Sequence, residues 1–258
     1  MNYNISKPKA PPKKYLDYKL LFIISIVITI IALFSKIFVH DAVIYRELSI
    51  VDNEKIPFLI NILGNKIFAL ILEFIGRLSV PLILFLLFLD YKKEGPNSNR
   101  FILILIFSIG LHLIFTWFNF NIINLKTIFI SLSEYMIIPL ALIYFYIWDL
   151  LKRNKMVTPI RFFLTIAFIV ASILLKIENN ILLALFAACL IYFEPVRLHQ
   201  AIFGALSLFP SFSGILIGLF IYFYDEYYNK RRYFDLLWII YPIIAIVFKL
   251  LRDLILSK

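Results

Sequence analysis

Glu73 and Arg77 are the residues of this sequence whose types and spacing point most directly to chemistry. Both lie within residues 72–91, LEFIGRLSVPLILFLLFLDY, a stretch otherwise dominated by hydrophobic side chains. They are four residues apart, so a helix would place the carboxylate and the guanidinium on one face. Ionised groups at membrane depth cost from about 2.5 kcal/mol each, so they are kept for pairing or for a site. Two interpretations stay open: a pair that only fixes helix packing, and a polar cavity that binds a ligand.

Pro81 predicts an irregularity in the same helix. It follows Arg77 by one turn and has no backbone N–H to donate. We therefore expect a kink here, which leaves a carbonyl group available to other partners.

The hydrophobic content indicates a membrane protein. Hydrophobic residues make up 62% of the 258 residues and the mean hydropathy is +0.92, whereas soluble domains are about 45–50% apolar. Apolar runs of about 20 residues recur, as helices that cross a bilayer require. The expected fold is all-α, a polytopic integral membrane helix bundle of about eight or nine transmembrane helices, some of them short or kinked at proline.

The basic residues indicate orientation in the membrane and not nucleic-acid binding. The formal net charge is +10, and the basic residues fall between apolar runs, where the positive-inside rule and anionic lipids account for them. Residues 1–19 are predicted to be a disordered basic cytoplasmic tail, and residues 20–258 a single transmembrane domain. We expect a multi-pass protein of the cell (plasma) membrane with a cytoplasmic amino terminus and the lipid bilayer as its partner.

Two parts of the span pattern matter for the site. Residues 127–150 are predicted as one span that carries Glu134, the second intramembrane acid. Residues 198–224 are interrupted by Pro210 and Gly214, so they form either one long kinked span or two half-spans that meet at this turn.

His40 and Glu134 are the candidate general bases. Proton removal from an acceptor needs a group such as histidine or a desolvated carboxylate. His112 lies on an apolar span, where a core histidine bonded to a neighbouring helix is the simpler interpretation. Three histidines and one unclustered cysteine, Cys189, predict no metal site.

Two motifs resemble the TraX family of membrane proteins. Residues 75–81, IGRLSVP, are similar to that family's Ile-Gly-Arg signature, which ends in proline. Residues 228–232, YNKRR, followed by Tyr241 and Pro242, resemble its carboxy-terminal pattern. Order and approximate spacing agree across most of the chain.

The resemblance implies an acyltransferase. The donor would be acetyl-CoA or another acyl-CoA, with no metal, and the acceptor a peptide amine or an envelope glycan hydroxyl. Candidate donor-binding residues are Arg77, Glu73, Tyr228, Asn229, Lys230 and Arg231. A planar guanidinium such as that of Arg77 can hold phosphate in a bidentate manner.

Some of the family's catalytic positions differ here. The family's histidine two residues after the last proline is Ile244, and only His40 and Asp41 follow the first span where the family has an earlier Asp-His pair. The alternative is therefore a catalytically degenerate TraX-like subunit, a structural or binding partner in a secretion, conjugation or envelope-modification complex.

Overall fold

The computed structural model describes residues 16–39, 64–95, 98–120, 132–153, 158–177, 179–209, 213–224 and 242–251. Within these ranges the chain is all-helical, as predicted, with two isolated β-bridges and no strand. The helices are α1 (Tyr18–Phe34), α2 (Lys66–Gly76), α3 (Ser79–Glu94), α4 (Ser98–Phe120), α5 (Ile137–Arg153), α6 (Thr158–Leu174), α7 (Asn180–Tyr192), α8 (Arg197–Ser207), α9 (Ser213–Phe223) and α10 (Pro242–Leu251). A π-helical turn, Ser35–Val39, extends α1, and a 3-10 turn, Glu134–Met136, precedes α5.

The predicted interruption near Pro81 is confirmed. Helix α2 ends at Gly76, Arg77 and Leu78 form a turn, and α3 begins at Ser79. Pro81 lies in the first turn of α3, where its missing N–H is least costly. From Leu78 to Phe88 every side chain of α3 is buried, so α3 forms the centre of the core.

Helix α1 runs antiparallel to α2 and α3 and touches both. A β-carbon built on Gly76 would lie 3.1 Å from the Ala32 α-carbon, and the Thr29 and Ser79 hydroxyl oxygens are 2.8 Å apart. The absence of a side chain at Gly76 therefore permits the close approach of α2 to α1.

Aromatic side chains pack α5 against α6 and α7. Tyr144 stacks on Phe168 of α6 with ring centroids 4.5 Å apart, and Trp148 meets Tyr192 of α7 at 4.4 Å. Each such pair stabilises the fold by about 0.5–1.5 kcal/mol beyond the contribution of its buried area.

The fourth predicted span contains two residues that are not helical. They are Leu132 and Ser133, and the Leu132 N–H donates to the Lys176 carbonyl at 3.1 Å. This extended pairing competes with helix formation, so the helical part of the described residues 132–153 begins at Glu134, and residues 127–131 lie outside the described residues.

Helices α8 and α9 form a tight antiparallel hairpin, which favours the two-half-span interpretation of residues 198–224. A β-carbon on Gly218 would lie 3.0 Å from both the Ala201 carbonyl oxygen and the Ala205 β-carbon. Small residues thus bring the two backbones together. At the open end, the Arg197 guanidinium donates to the Tyr224 carbonyl and stacks over its ring at 5.1 Å.

One end of the bundle carries a charged cluster, defined here as Lys92, Asp149, Lys152 and Glu194. Lys92 bonds Glu194 at 2.6 Å and lies 3.8 Å from Asp149, and Lys152 lies 3.6 Å from Glu194. The cluster joins the carboxyl ends of α3 and α5 to the segment after α7.

Two helical segments within the described ranges are long and apolar enough to cross a membrane. They are Lys66–Lys93, which includes the turn at Arg77, and Glu134–Lys152. Length and composition alone make this weak support for a membrane location.

Candidate functional site

A cavity of about 410 Å³ lies at the end of the bundle opposite the charged cluster. Its charged lining residues come from three separate segments: Lys36 from the turn after α1, Glu73 and Arg77 from α2 and its end, and Glu134 from the turn before α5. The volume falls within the range of about 300–1,000 Å³ typical of small-molecule sites. Three of the predicted site residues, Glu73, Arg77 and Glu134, therefore share one cavity.

Glu73 and Arg77 form an ion pair at the cavity wall. An Arg77 guanidinium nitrogen donates to Glu73 Oε1 at 2.7 Å, as the four-residue spacing predicts. The Arg77 and Glu73 side chains are 55% and 54% exposed, so the pair is not sealed in a helix contact. Because the pair is local and half-exposed, it contributes about 0–1 kcal/mol to stability and leaves both groups accessible to a ligand.

Glu134 is the more enclosed carboxylate, only 13% exposed. Its Oε1 accepts from Lys36 Nζ at 2.8 Å, and its Oε2 accepts from Asn179 Nδ2 at 3.4 Å. Asn179 is held in the left-handed region at φ 53°, which asparagine tolerates better than most residues. These long-range partners fix the carboxylate at the cavity.

A buried hydroxyl chain sets the position of Glu134 relative to Arg77. The Ser79 hydroxyl, two residues after Arg77, lies 3.4 Å from the hydroxyl of Tyr135, the residue after Glu134. It also lies 2.8 Å from the Thr29 hydroxyl of α1. All three side chains are fully buried, so the chain connects α1, α3 and the turn before α5 beside the cavity.

His112 supports the same turn from α4. Its Nδ1 accepts the backbone N–H of Ser133 at 3.3 Å, and the imidazole is buried. The prediction of a core histidine is confirmed, but its partner Ser133 lies in a non-helical segment and not in a neighbouring helix. His112 does not line the cavity, but it holds the residue that precedes Glu134.

The remaining wall is apolar or weakly polar. Leu208 and Ser213, which flank the tip of the α8–α9 hairpin, lie on one side, and Leu182 and Leu183 of α7 lie beside them. The tip of the hairpin therefore lies at the cavity, and its open end, at Arg197 and Tyr224, lies towards the other end of the bundle.

Five of the predicted site residues lie outside the described residues. They are His40, Tyr228, Asn229, Lys230 and Arg231. No histidine lines the cavity within the described ranges, so Glu134 is the candidate base that the geometry places there.

The sequence interpretation missed Lys36 and Asn179 as site residues. Lys36 is a cation at the end of an apolar span, and Glu134 is an acid in another. The tendency of intramembrane charges to pair was the one available signal. This tendency predicts that Lys36 pairs with an acid, but it does not identify Glu134 as that acid, because 98 residues separate the two.

The charged residues that line the cavity within the described part of the chain balance one another. Lys36 and Arg77 supply two cations, and Glu73 and Glu134 supply two carboxylates. The arrangement can bind an oxyanion through the cations, and it can accept a proton or an ammonium group at a carboxylate.

Comparisons of the chain with protein-family models, with curated proteins and with solved structures find no match. The functional interpretation therefore rests on the chain's own residues and their geometry.

Proposed function

We propose that this protein is a multi-pass membrane acyltransferase, TraX-like in its motifs, whose cavity holds the acceptor beside Glu134. The observation that carries the proposal is the convergence of the Glu73–Arg77 pair and of Glu134 on one cavity from two segments far apart in sequence. Both segments are apolar, and intramembrane charges mark functional sites.

The distribution of charge supports an orientation in the membrane. The basic residues in the last turns of α3 and α5 lie at the end with the charged cluster, where Leu16, next to the basic amino-terminal segment, also pairs with Phe223. The positive-inside rule puts this end in the cytoplasm. The cavity then faces the opposite, outer side.

The helix lengths agree with this placement. Fifteen residues separate Arg77 from Lys92, Glu134 from Asp149, and Asn179 from Glu194. Fifteen helical residues span about 22 Å, less than the hydrocarbon thickness of about 30 Å. The cavity would lie in the outer half of the bilayer.

Cysteine labelling tests the orientation. In a Cys189→Ala background, Asn179→Cys should react with a membrane-impermeant maleimide added to intact cells, whereas Lys152→Cys should react only after permeabilisation. Both positions are exposed. The reverse pattern would overturn the orientation, and equal labelling of both from outside would overturn the multi-pass arrangement.

The proposed chemistry is acyl transfer from an acyl-CoA, whose thioester would have to reach the outer cavity from the cytoplasm through the bundle. Glu134 removes the proton of an amine or hydroxyl acceptor as this group attacks the thioester carbonyl. The C–S bond breaks, a C–N or C–O bond forms, and the coenzyme A thiolate leaves and takes up the proton. Arg77 and Lys36 orient an anionic part of the bound substrate.

The first experiment is calorimetric titration of the purified protein in detergent with acetyl-CoA, followed by a transfer assay with candidate acceptors. We expect saturable binding by the wild type. Glu134→Gln should bind the donor but transfer slower by about 100-fold or more, the usual contribution of a general base. Equal transfer rates in the two proteins would overturn the role of Glu134.

The second candidate is a non-catalytic membrane subunit. The observation that favours it is that each cavity carboxylate is already paired with a cavity cation, at 2.7 and 2.8 Å, and no histidine of the described ranges lines the cavity. A folded wild-type protein that binds no acyl-CoA and co-purifies stoichiometrically with another membrane protein would support this candidate over the enzyme.

A further inference from the structure

We infer that the cavity binds the headgroup of a zwitterionic lipid, one that joins a phosphate to a primary amine as phosphoethanolamine does. The inference rests on the proposed function for the membrane location of the cavity and names the substrate class of the same site. Its ground is the charge balance of the lining together with the apolar surface beside the Glu73–Arg77 pair.

The charge balance selects a ligand of zero net charge. Among the residues that the structure describes, the lining has two cations and two carboxylates, whose formal charges sum to zero. A zwitterion lets its phosphate meet Arg77 and Lys36 while its ammonium meets Glu73 and Glu134, so each of these four charges gains an opposite partner on the ligand. A net anion would leave an uncompensated charge in a site of low dielectric, which is strongly unfavourable.

The ion pairs leave room for a ligand to bind the cations while each cation keeps its carboxylate. Arg77 and Glu73 are half-exposed, and Lys36 is 39% exposed although it bonds Glu134. Guanidinium and ammonium groups carry several donors each, so each can keep its carboxylate and bind a phosphate oxygen as well. Binding does not require either pair to separate.

The surface beside the pair is apolar and indicates an amphiphile. Helix α2 buries none of its side chains, and Ile67, Leu70 and Ile71 are 71%, 64% and 51% exposed. Leu70, Glu73 and Arg77 follow one face of α2 at helical spacing. A ligand with its polar group at Glu73 and Arg77 therefore lies next to apolar surface, as a lipid would and a soluble metabolite would not.

The test is lipid titration of the full-length protein in detergent by native mass spectrometry. The probes are phosphatidylethanolamine and the anionic phosphatidylglycerol with the same acyl chains, and soluble glycerophosphoethanolamine, a phosphodiester with the same zero net charge as the lipid headgroup. Wild type should bind phosphatidylethanolamine about tenfold more tightly than phosphatidylglycerol, a difference of about 1.4 kcal/mol. Soluble glycerophosphoethanolamine should compete weakly, because it has no apolar part.

Charge-changing variants should shift the lipid preference in a direction that the inference predicts. Glu73→Gln leaves the lining with one excess cation, so its preference should shift towards phosphatidylglycerol. Arg77→Gln leaves one excess carboxylate, so binding of both lipids should fall, with phosphatidylglycerol falling further. The matched control is Lys152→Gln, which removes a half-exposed cation of the charged cluster at the other end and should change neither affinity.

The outcomes separate this inference from the proposed enzyme. The same preference in wild type, Glu73→Gln and Arg77→Gln would overturn the lipid site, as would soluble glycerophosphoethanolamine that binds as tightly as the lipid. Acyl transfer to a peptide amine without lipid selectivity would also overturn the lipid site and leave the enzyme standing. Selective lipid binding with the predicted signs but no acyl transfer would support the lipid site and overturn the enzyme. Thermal unfolding of each variant checks that it is folded.

Discussion

Gly76 of α2 and Ala32 of α1 meet backbone to backbone at the edge of the cavity. A β-carbon on Gly76 would lie 3.1 Å from the Ala32 α-carbon and 3.3 Å from its β-carbon. Both residues line the cavity, Arg77 directly follows Gly76, and Lys36 lies one turn after Ala32. This close approach therefore brings the α2 ion pair within the same cavity as the turn after α1.

Gly76→Ala should destabilise the protein despite the better helix propensity of alanine. The added methyl group has to displace Ala32, and overpacking of this kind costs about 1–3 kcal/mol. The matched control is Gly110→Ala in α4, where a β-carbon would meet nothing within 4 Å. There we expect no change or a gain of up to about 1 kcal/mol. Unfolding in mixed micelles measures both, and equal effects would contradict the proposed contact.

Gly214→Ala should open the α8–α9 hairpin. A β-carbon there would overlap the carbonyl oxygen of Ala205, a backbone atom that cannot move without separating the helices. We expect a loss of about 2–3 kcal/mol in the free energy of unfolding. Because Ser213 and Leu208 lie at the cavity wall, ligand binding should weaken as well. Full stability in Gly214→Ala would contradict the tight hairpin.

Local features of this fold could be predicted from the sequence. The Glu73–Arg77 pair and the interruption near Pro81 follow from helical spacing and from a missing backbone donor, which both operate within one or two turns. The all-helical fold follows from the long apolar runs. The non-helical backbone of Leu132 and Ser133 inside a predicted span could not be predicted, because it depends on the pairing of Leu132 with Lys176.

The assembly of the cavity depends on contacts that no local pattern contains. Lys36 and Glu134 are 98 residues apart, and Asn179 and Glu134 are 45 residues apart. Their pairing is decided by how α1, α5 and α7 pack, and apolar helix surfaces of similar composition allow many arrangements. The α8–α9 hairpin was one of two predicted possibilities, and the close approach of Gly218 to Ala201 distinguishes them.

Lys36 and Glu134 should be energetically coupled. Lys36→Met removes the ammonium that the largely enclosed Glu134 carboxylate meets at 2.8 Å, and Glu134→Gln removes that carboxylate. The two single changes together should cost more than the double change, by a coupling energy of about 1–2 kcal/mol, between the values of exposed and buried pairs. A double-mutant cycle measures it. The Arg77–Glu73 pair, half-exposed, serves as the comparison and should couple by about 0.5 kcal/mol.

His112→Phe should loosen the turn that carries Glu134. The substitution removes the Nδ1 acceptor of the Ser133 N–H and leaves a buried donor unsatisfied, which costs about 1–3 kcal/mol. Hydrogen exchange followed by mass spectrometry should show faster exchange in residues 132–136. The control is Ser108→Ala, one turn earlier on α4 and also fully buried, whose hydroxyl makes no hydrogen bond within the described residues. It should leave this exchange unchanged. Unchanged exchange in His112→Phe would show that the hydroxyl chain of Ser79 and Tyr135 is sufficient to hold the turn.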